Sequence, residues 1–191
     1  MIAQAVTFLT ALLDAHIDMR TQAKGPHVVC GSPVGHDAQS AAAVKEKLVL
    51  TLMHMQRETV SGHAAPHLRK TQRGFAQSPP PLHLNLSLLI SANFPEDYER
   101  GLRLLSSAIG FFQVHPVFHA RNAPDLPEGF ERLTVEWQDI SFNDAQTMWS
   151  TLGGVHMPAA LYRIRMIVIE DTDPGTDVPV IKGTSITGET L

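Results

Sequence analysis

The sequence holds one cysteine, Cys30, which excludes an intrachain disulfide and any zinc site built on cysteine. Cys30 closes the apolar run His27-Val28-Val29-Cys30 and reads as a small buried side chain, with no basic neighbour in sequence to lower its pKa. Basic residues do not cluster either. Fifteen Lys and Arg stand against 19 Asp and Glu, a formal net charge of -4, so no basic stripe offers itself to nucleic acid. No apolar run reaches the roughly 18 residues that a membrane-spanning helix needs. The stretch Ile2 to Leu13 is apolar and short, like the core of a signal peptide. However, no Lys or Arg precedes it, and Asp14 and Asp18 follow closely, so the product is expected to be cytoplasmic when made. Catalytic motifs are missing as well. Gly31-Ser-Pro-Val-Gly35 lacks the Lys-Ser/Thr ending of a phosphate loop, and there is no Gly-x-Ser-x-Gly elbow.

What is present is a change of period. Leu82, Leu84, Leu86, Leu88 and Ile90 stand at every second position, which predicts a strand with one buried face. Tyr98, Leu102, Leu105, Ile109 and Phe112 then recur at steps of three and four, which predicts a helix lying over that face. Pro95 suits its first turn, Glu96 and Asp97 favour its positive end, and Pro116 stops it near Val114.

The same logic gives the remaining elements. Ile2, Val6, Leu9, Leu13 and Ile17 mark one face of a first helix that runs to Arg20. Val28 to Gly31 is a short strand, and Gly31 to Ala43 reads as loop. Lys47 to Gln56 is a strand apolar on both faces, hence central, and an antiparallel neighbour for the strand at 82–92. Arg57 to Pro81 reads as a long, mobile hairpin connection. His115 to His119 reads as a loop turn that tucks Val117 and Phe118 into the core, and Leu133 to Trp137 as a short strand. Ser141-Phe-Asn-Asp144 opens a helix with a capping-box pattern, whose apolar face is Phe142, Ala145, Met148, Trp149 and Leu152. Tyr162 to Glu170 is the last clear strand. The order predicts the α+β class, with helices packed on one mainly antiparallel or mixed sheet. Residues 1–170 form the domain and 171–191 an extended arm.

Candidate chemistry is thin. His115 and His119 have i, i+4 spacing, but Pro116 interrupts a helix there. His54, His63 and His67 lack a carboxylate or Cys at ligand spacing. Glu96, Asp97 and Glu99 suit the helix dipole rather than acid–base work. Arg163 and Arg165 share one strand face, either an anion site or, the preferred reading, a solvated or interface face. No catalytic, cofactor or metal residue is therefore assigned. In the arm, Val180, Ile181, Ser185 and Ile186 suit β-strand addition to a neighbour's sheet edge, and Pro179 requires such pairing to start after it.

The wording LNLSLLISANF…YERGLRLLSSAIGFFQVHPVF, and the signature from Phe142 to Gly154 followed by Pro158 and Tyr162-Arg163, resembles the cap, or tail-terminator, proteins of phage-tail-like contractile injection systems. The resemblance covers most of the chain and departs in Gly31–Val44 and Arg57–Ser78. It implies a tail-terminator-like fold and a non-enzymatic ring, a homohexamer. Such a ring would stop growth of the inner tube and hold the last sheath layer at the end distal to the baseplate. Its partners would be the tube and sheath proteins, with no cofactor, no nucleic acid and no membrane insertion, in an assembled particle. The rival readings are a small-molecule-binding α+β domain and a hydrolase, either of which would need a pocket with convergent polar groups.

Overall fold

The computed structural model describes residues 1–21, 25–35, 37–58, 67–71, 74–78, 82–153, 155–169 and 177–178. The chain divides into two compact units, Met1–Glu58 with His83–Val168, and Thr59–Leu82 with Ile169–Leu191.

In the first unit α1 (Ile2–Thr21) buries Ala5, Val6, Phe8, Leu9, Leu13 and Ile17, the stripe its periodicity predicts. The short strand β1 (Val28–Cys30) follows. Helix α2 (Ala38–Val44) then occupies part of the stretch expected to be loop. Asp37 caps it by accepting from Ser40 N, and Ser40 Oγ accepts from Asp37 N, a capping box closed by serine. Alanines carry α2 and Val44 is its only buried residue, so propensity made this helix where no apolar period announced it.

The sheet order is β1-β2-β5-β8-β7-β6, with β2 at Lys47–Arg57, β5 at Leu82–Asn93, β6 at Val117–His119, β7 at Arg132–Trp137 and β8 at Ala159–Ile169. β1 and β2 run parallel, whereas β2 with β5, β6 with β7 and β7 with β8 are antiparallel, so the sheet is mixed. The expected neighbours β2 and β5 pair from Lys47↔Asn93 to Arg57↔Leu84, with a register shift between Leu52 and His54. That shift lets the strand twist without breaking its pairing.

Each face of β5 has its own core. Leu86, Leu88 and Ile90 join α1, Leu48, Leu50 and α3 (Tyr98–Val114) in the larger cluster. Leu89 points the other way and packs with Trp149, Met157 and Leu161 under α4 (Phe142–Thr151). The five-residue alternation fades at its start, where Leu84 is half-buried and Leu82 is 37% exposed.

Three helix details differ from expectation. α3 begins at Tyr98, with Asp97 as its cap accepting from Arg100 N, so Pro95 and Glu96 precede the helix. Its buried face is Gly101, Leu104, Leu105, Ala108 and Phe112, while Tyr98 and Leu102 are 62% and 39% exposed. Counting only large side chains missed this rotation, because Gly101 and Ala108 are what allow close approach. A Cβ on Gly101 would lie 2.9 Å from Phe94 Cβ. On α4 Trp149 is buried, Met148 and Leu152 pack beside it, and Phe142 is 81% exposed at the helix start. Gly153 ends the helix turn at φ +115°.

Several aromatic residues link up in the larger core and at its margin, where Trp137 is exposed. Phe8 meets Phe118 edge-on at 5.9 Å, Phe112 lies 5.3 Å from Tyr162, and Tyr162 meets Trp137 at 5.5 Å. The second unit holds an antiparallel hairpin, β3 (His67–Thr71) and β4 (Gly74–Ser78), and a third strand β9 (Asp177–Val178) pairing Phe75↔Val178 and Ala76↔Asp177. The stretch read as plain connection thus contains two strands. His-Leu-Arg-Lys-Thr and Gly-Phe-Ala-Gln-Ser carry too few apolar residues to show a period.

Leu86→Ala should cost about 2–5 kcal/mol in denaturant unfolding, because Leu86 is fully buried, whereas Leu82→Ala should stay within about 0.5 kcal/mol. Burial also pushes the Tyr162 phenol up to about 12. The unfolded chain ionises this group near pH 10, so stability present below that pH is lost as the pH rises toward 12. Unfolding across that window should show the parent losing about 2–3 kcal/mol relative to Tyr162→Phe.

Candidate functional site

A sheet presents two kinds of assembly surface, its edges and its uncovered face. The edges here are β1 and β6, each only three residues long. In β1, His27 O accepts from Leu48 N and Gly31 N donates to Leu50 O, so Val28 turns its backbone outward. That outward Val28 N–H donates to Asp14 Oδ1 at 2.9 Å, and His27 N donates to the same oxygen at 2.8 Å. A carboxylate from α1 thus takes one outward donor of this edge.

At the other edge Pro116 O accepts from Val135 N, so Pro116 and Phe118 face β7 while Val117 and His119 turn their backbone groups away. Asn122, in the following turn, meets those groups. Its Nδ2 donates to Val117 O and its Oδ1 accepts from His119 N, both at 2.8 Å. His119 O accepts from Asn122 N at 3.0 Å and from Ala123 N at 2.9 Å. The segment at 117–119 is therefore an edge strand rather than a loop turn, with Phe118 buried as expected. Sequence reasoning missed both covering residues. Asn122 carries an ordinary turn signal and Asp14 an ordinary helix charge, and neither reveals a strand edge beside it.

The sheet's polar row lies at the far ends of β2, β5, β8 and β7. Arg165 donates from Nη1 to Glu136 Oε1 at 3.2 Å and from Nη2 to Glu58 Oε2 at 3.3 Å. Asn85 Nδ2 donates to the same Glu58 oxygen at 2.8 Å. Glu136, then Glu58, raise the pKa of Arg165 further above its already high value. Two carboxylates occupy this guanidinium, so the pair Arg163 and Arg165 does not form an anion site. Arg163 stands opposite Glu136 in the ladder.

Among the described residues the histidines form no metal-binding group, and no three His, Cys, Asp or Glu side chains are placed to hold a metal ion. His54 and His115 are exposed, and His119 Nδ1 accepts from Arg121 N at 3.2 Å. The side chains of His63 and His67 lie outside the described residues. Cys30 is exposed on the outer edge of β1 rather than buried, and partial desolvation still pushes its thiol pKa up, which leaves it a weak nucleophile. Val180, Ile181, Ser185 and Ile186 lie outside the described residues, and the pairing at Asp177 and Val178 stands just before Pro179. Among the described residues no helix is long and apolar enough to cross a membrane.

The family model described as Pvc16 N-terminal domain matches residues 4–183. No curated protein matches the chain. Among solved structures, the chain is similar to the sheath/tube terminator of PVC, an extracellular contractile injection system, in its extended state. The identity is 12% and the TM-score 0.59, over 100% of this chain and 65% of that one. It is also similar to the anti-feeding prophage cap, the AFP tube terminating cap, at 14% identity and TM-score 0.51, over 74% of this chain and 49% of that one. The chain therefore spans less than two thirds of the length of either structure, and at these identities the likeness is one of fold.

Removing Arg165 should deprive the half-buried Glu58, whose side chain is 14% exposed, of the ion pair that Arg165 supplies. Arg165→Met is expected to cost about 1–2 kcal/mol, discounted for solvent screening at the Arg165 end. Adding Glu58→Gln should recover part of that loss in a double-mutant cycle of unfolding free energies.

Proposed function

The chain belongs to the Pvc16 N-terminal domain family, and from that premise we propose that it is a structural cap, ending the tube and sheath of a contractile injection system. The observation that carries this reading is the fold likeness, over the whole chain, to a sheath/tube terminator. The physical requirement for such a part is asymmetric. It must cover the groups that a growing end leaves open, and it must present no equivalent surface above. Two short sheet edges whose outward groups Asp14 and Asn122 partly meet suit that requirement.

In this reading the protein is not an enzyme. Copies join head to tail around an axis, and a rotation that closes gives a ring. Six copies would match a sixfold tube and sheath. The ring sits at the end distal to the baseplate, with the inner-tube and sheath proteins as partners. The chain reaches that place from the cytoplasm as part of the assembled particle, and neither nucleic acid nor membrane insertion enters the mechanism. The arm from Asp171 onward adds to a neighbour's sheet edge through Val180, Ile181, Ser185 and Ile186, beyond the Pro179 that cannot donate.

Negative-stain images of the full chain, alone or with purified tube and sheath, should contain rings. Light scattering that finds only dimers, with no binding to tube or sheath, would overturn the cap reading. Deleting Asp173 to Leu191 removes β9 from the second sheet but nothing from the first unit. Melting of the first unit should stay unchanged while docking to the sheath end weakens severalfold, and unaltered docking would remove the arm from the mechanism.

A further inference from the structure

We propose that the Asn122 carboxamide is an edge guard, closing the β6 edge against strand pairing with a second copy of this chain. A primary amide carries one donor side and one acceptor side, as a peptide group does. Asn122 spends both on the backbone of β6. Its Nδ2 takes Val117 O and its Oδ1 takes His119 N, the two outward groups that flank Phe118. The turn backbone at Asn122 and Ala123 occupies His119 O. Three of the four outward ladder groups of Val117 and His119 are thus filled from within the chain, and Val117 N–H is the fourth. Asn122 is itself exposed, so its side chain stands between the strand and whatever approaches.

Without that amide Val117 O and His119 N would be open beside Val117 N–H, while the turn backbone still holds His119 O. Val117-Phe118-His119, although short, contains two strongly strand-forming residues and belongs to a sheet already buried at its centre. A second copy is the partner to exclude, because two identical edges are self-complementary about a twofold axis. That partner is present in every solution of the pure protein. The opposite edge follows the same rule with different chemistry, since Asp14 takes the outward Val28 N–H of β1. The guard on β6 is the more complete, because a carboxylate only accepts whereas the amide satisfies a donor and an acceptor. This inference concerns the free chain and does not depend on the cap reading.

The test compares the full-length parent with Asn122→Ala by sedimentation across a wide concentration range, whatever the parent's own assembly state. The variant should gain a species about twice the parent's mass, growing with concentration, as isologous pairing requires. In dilute solution its His119 amide should exchange with solvent roughly tenfold faster, the factor that one lost hydrogen bond carries. Protection should return as the larger species forms. A second change, His119→Lys, should abolish the larger species, because paired edges would bring two lysines together. A folded Asn122→Ala variant with the parent's mass at every concentration overturns the proposal. So does a larger species in which His119 remains unprotected. If circular dichroism shows that Asn122→Ala does not fold, Asn122→Asp decides the matter. It keeps the side chain's shape and its acceptor for His119 N but loses the donor to Val117 O. Association beyond the parent then supports the guard, and its absence overturns it.

Discussion

The burial of β5 on both faces is the constraint from which the rest of the first unit follows. Leu86, Leu88 and Ile90 need cover on one side and Leu89 on the other, so helices must stand on both sides of the sheet. α1 and α3 supply the large layer. α4, with Trp149, supplies the small one and reaches only part of its face. The face that remains is polar, and there Arg165 ties Glu136 on β7 to Glu58 at the end of β2. Water can reach this end of the sheet, so its interactions are ionic. Near Leu88 to Ile90 water is excluded, and side-chain packing joins the backbone ladder in holding the strands.

The constraint also decides what the sheet edges must do. A strand pair buried at the centre of a sheet stabilises every strand added beside it, and the addition has to stop somewhere. Here it stops at two three-residue strands whose outward backbone groups are partly met by side chains. Asp14 reaches down from α1 because Leu9, Leu13 and Ile17 fix the rotation of that helix against the core. Asn122 reaches back because the turn after His119 is closed by its own backbone bonds. Core packing and edge chemistry are therefore coupled through the helix and the turn.

On the cap reading, surface chemistry of this kind takes the place of an active site. Among the described residues, the side chains that could have formed a reaction centre are spread over separate elements or engaged elsewhere. Arg165 is held between two carboxylates, and His119 accepts from a turn amide. The thiol of Cys30, although exposed, is held toward its protonated form. What the fold concentrates instead is backbone: which strand ends are paired, which are covered, and which face is left open.

Much of this was legible in the sequence because it is local. The alternation that buries Leu86, Leu88 and Ile90, the four-residue steps of α1, the Ser141 cap and the stop at Pro116 each depend on neighbours within a few positions, and each appears in the structure. The α+β class and the pairing of β2 with β5 followed from them. Missed were α2, whose alanines bury almost nothing, the hairpin at 67–78, whose strands show no apolar period, and the rotation of α3 set by Gly101 and Ala108. The covered edges could not be read at all. Asn122 belongs to β6 only because β7 has taken the other side of that strand, and Asp14 belongs to β1 only because α1 packs where it does. The sequence by itself determined the long periodic strands and helices, since their periods are written in adjacent residues. Tertiary structure alone decided which backbone groups remain to be satisfied, since a hydrogen bond is left over only after every other strand has found its place.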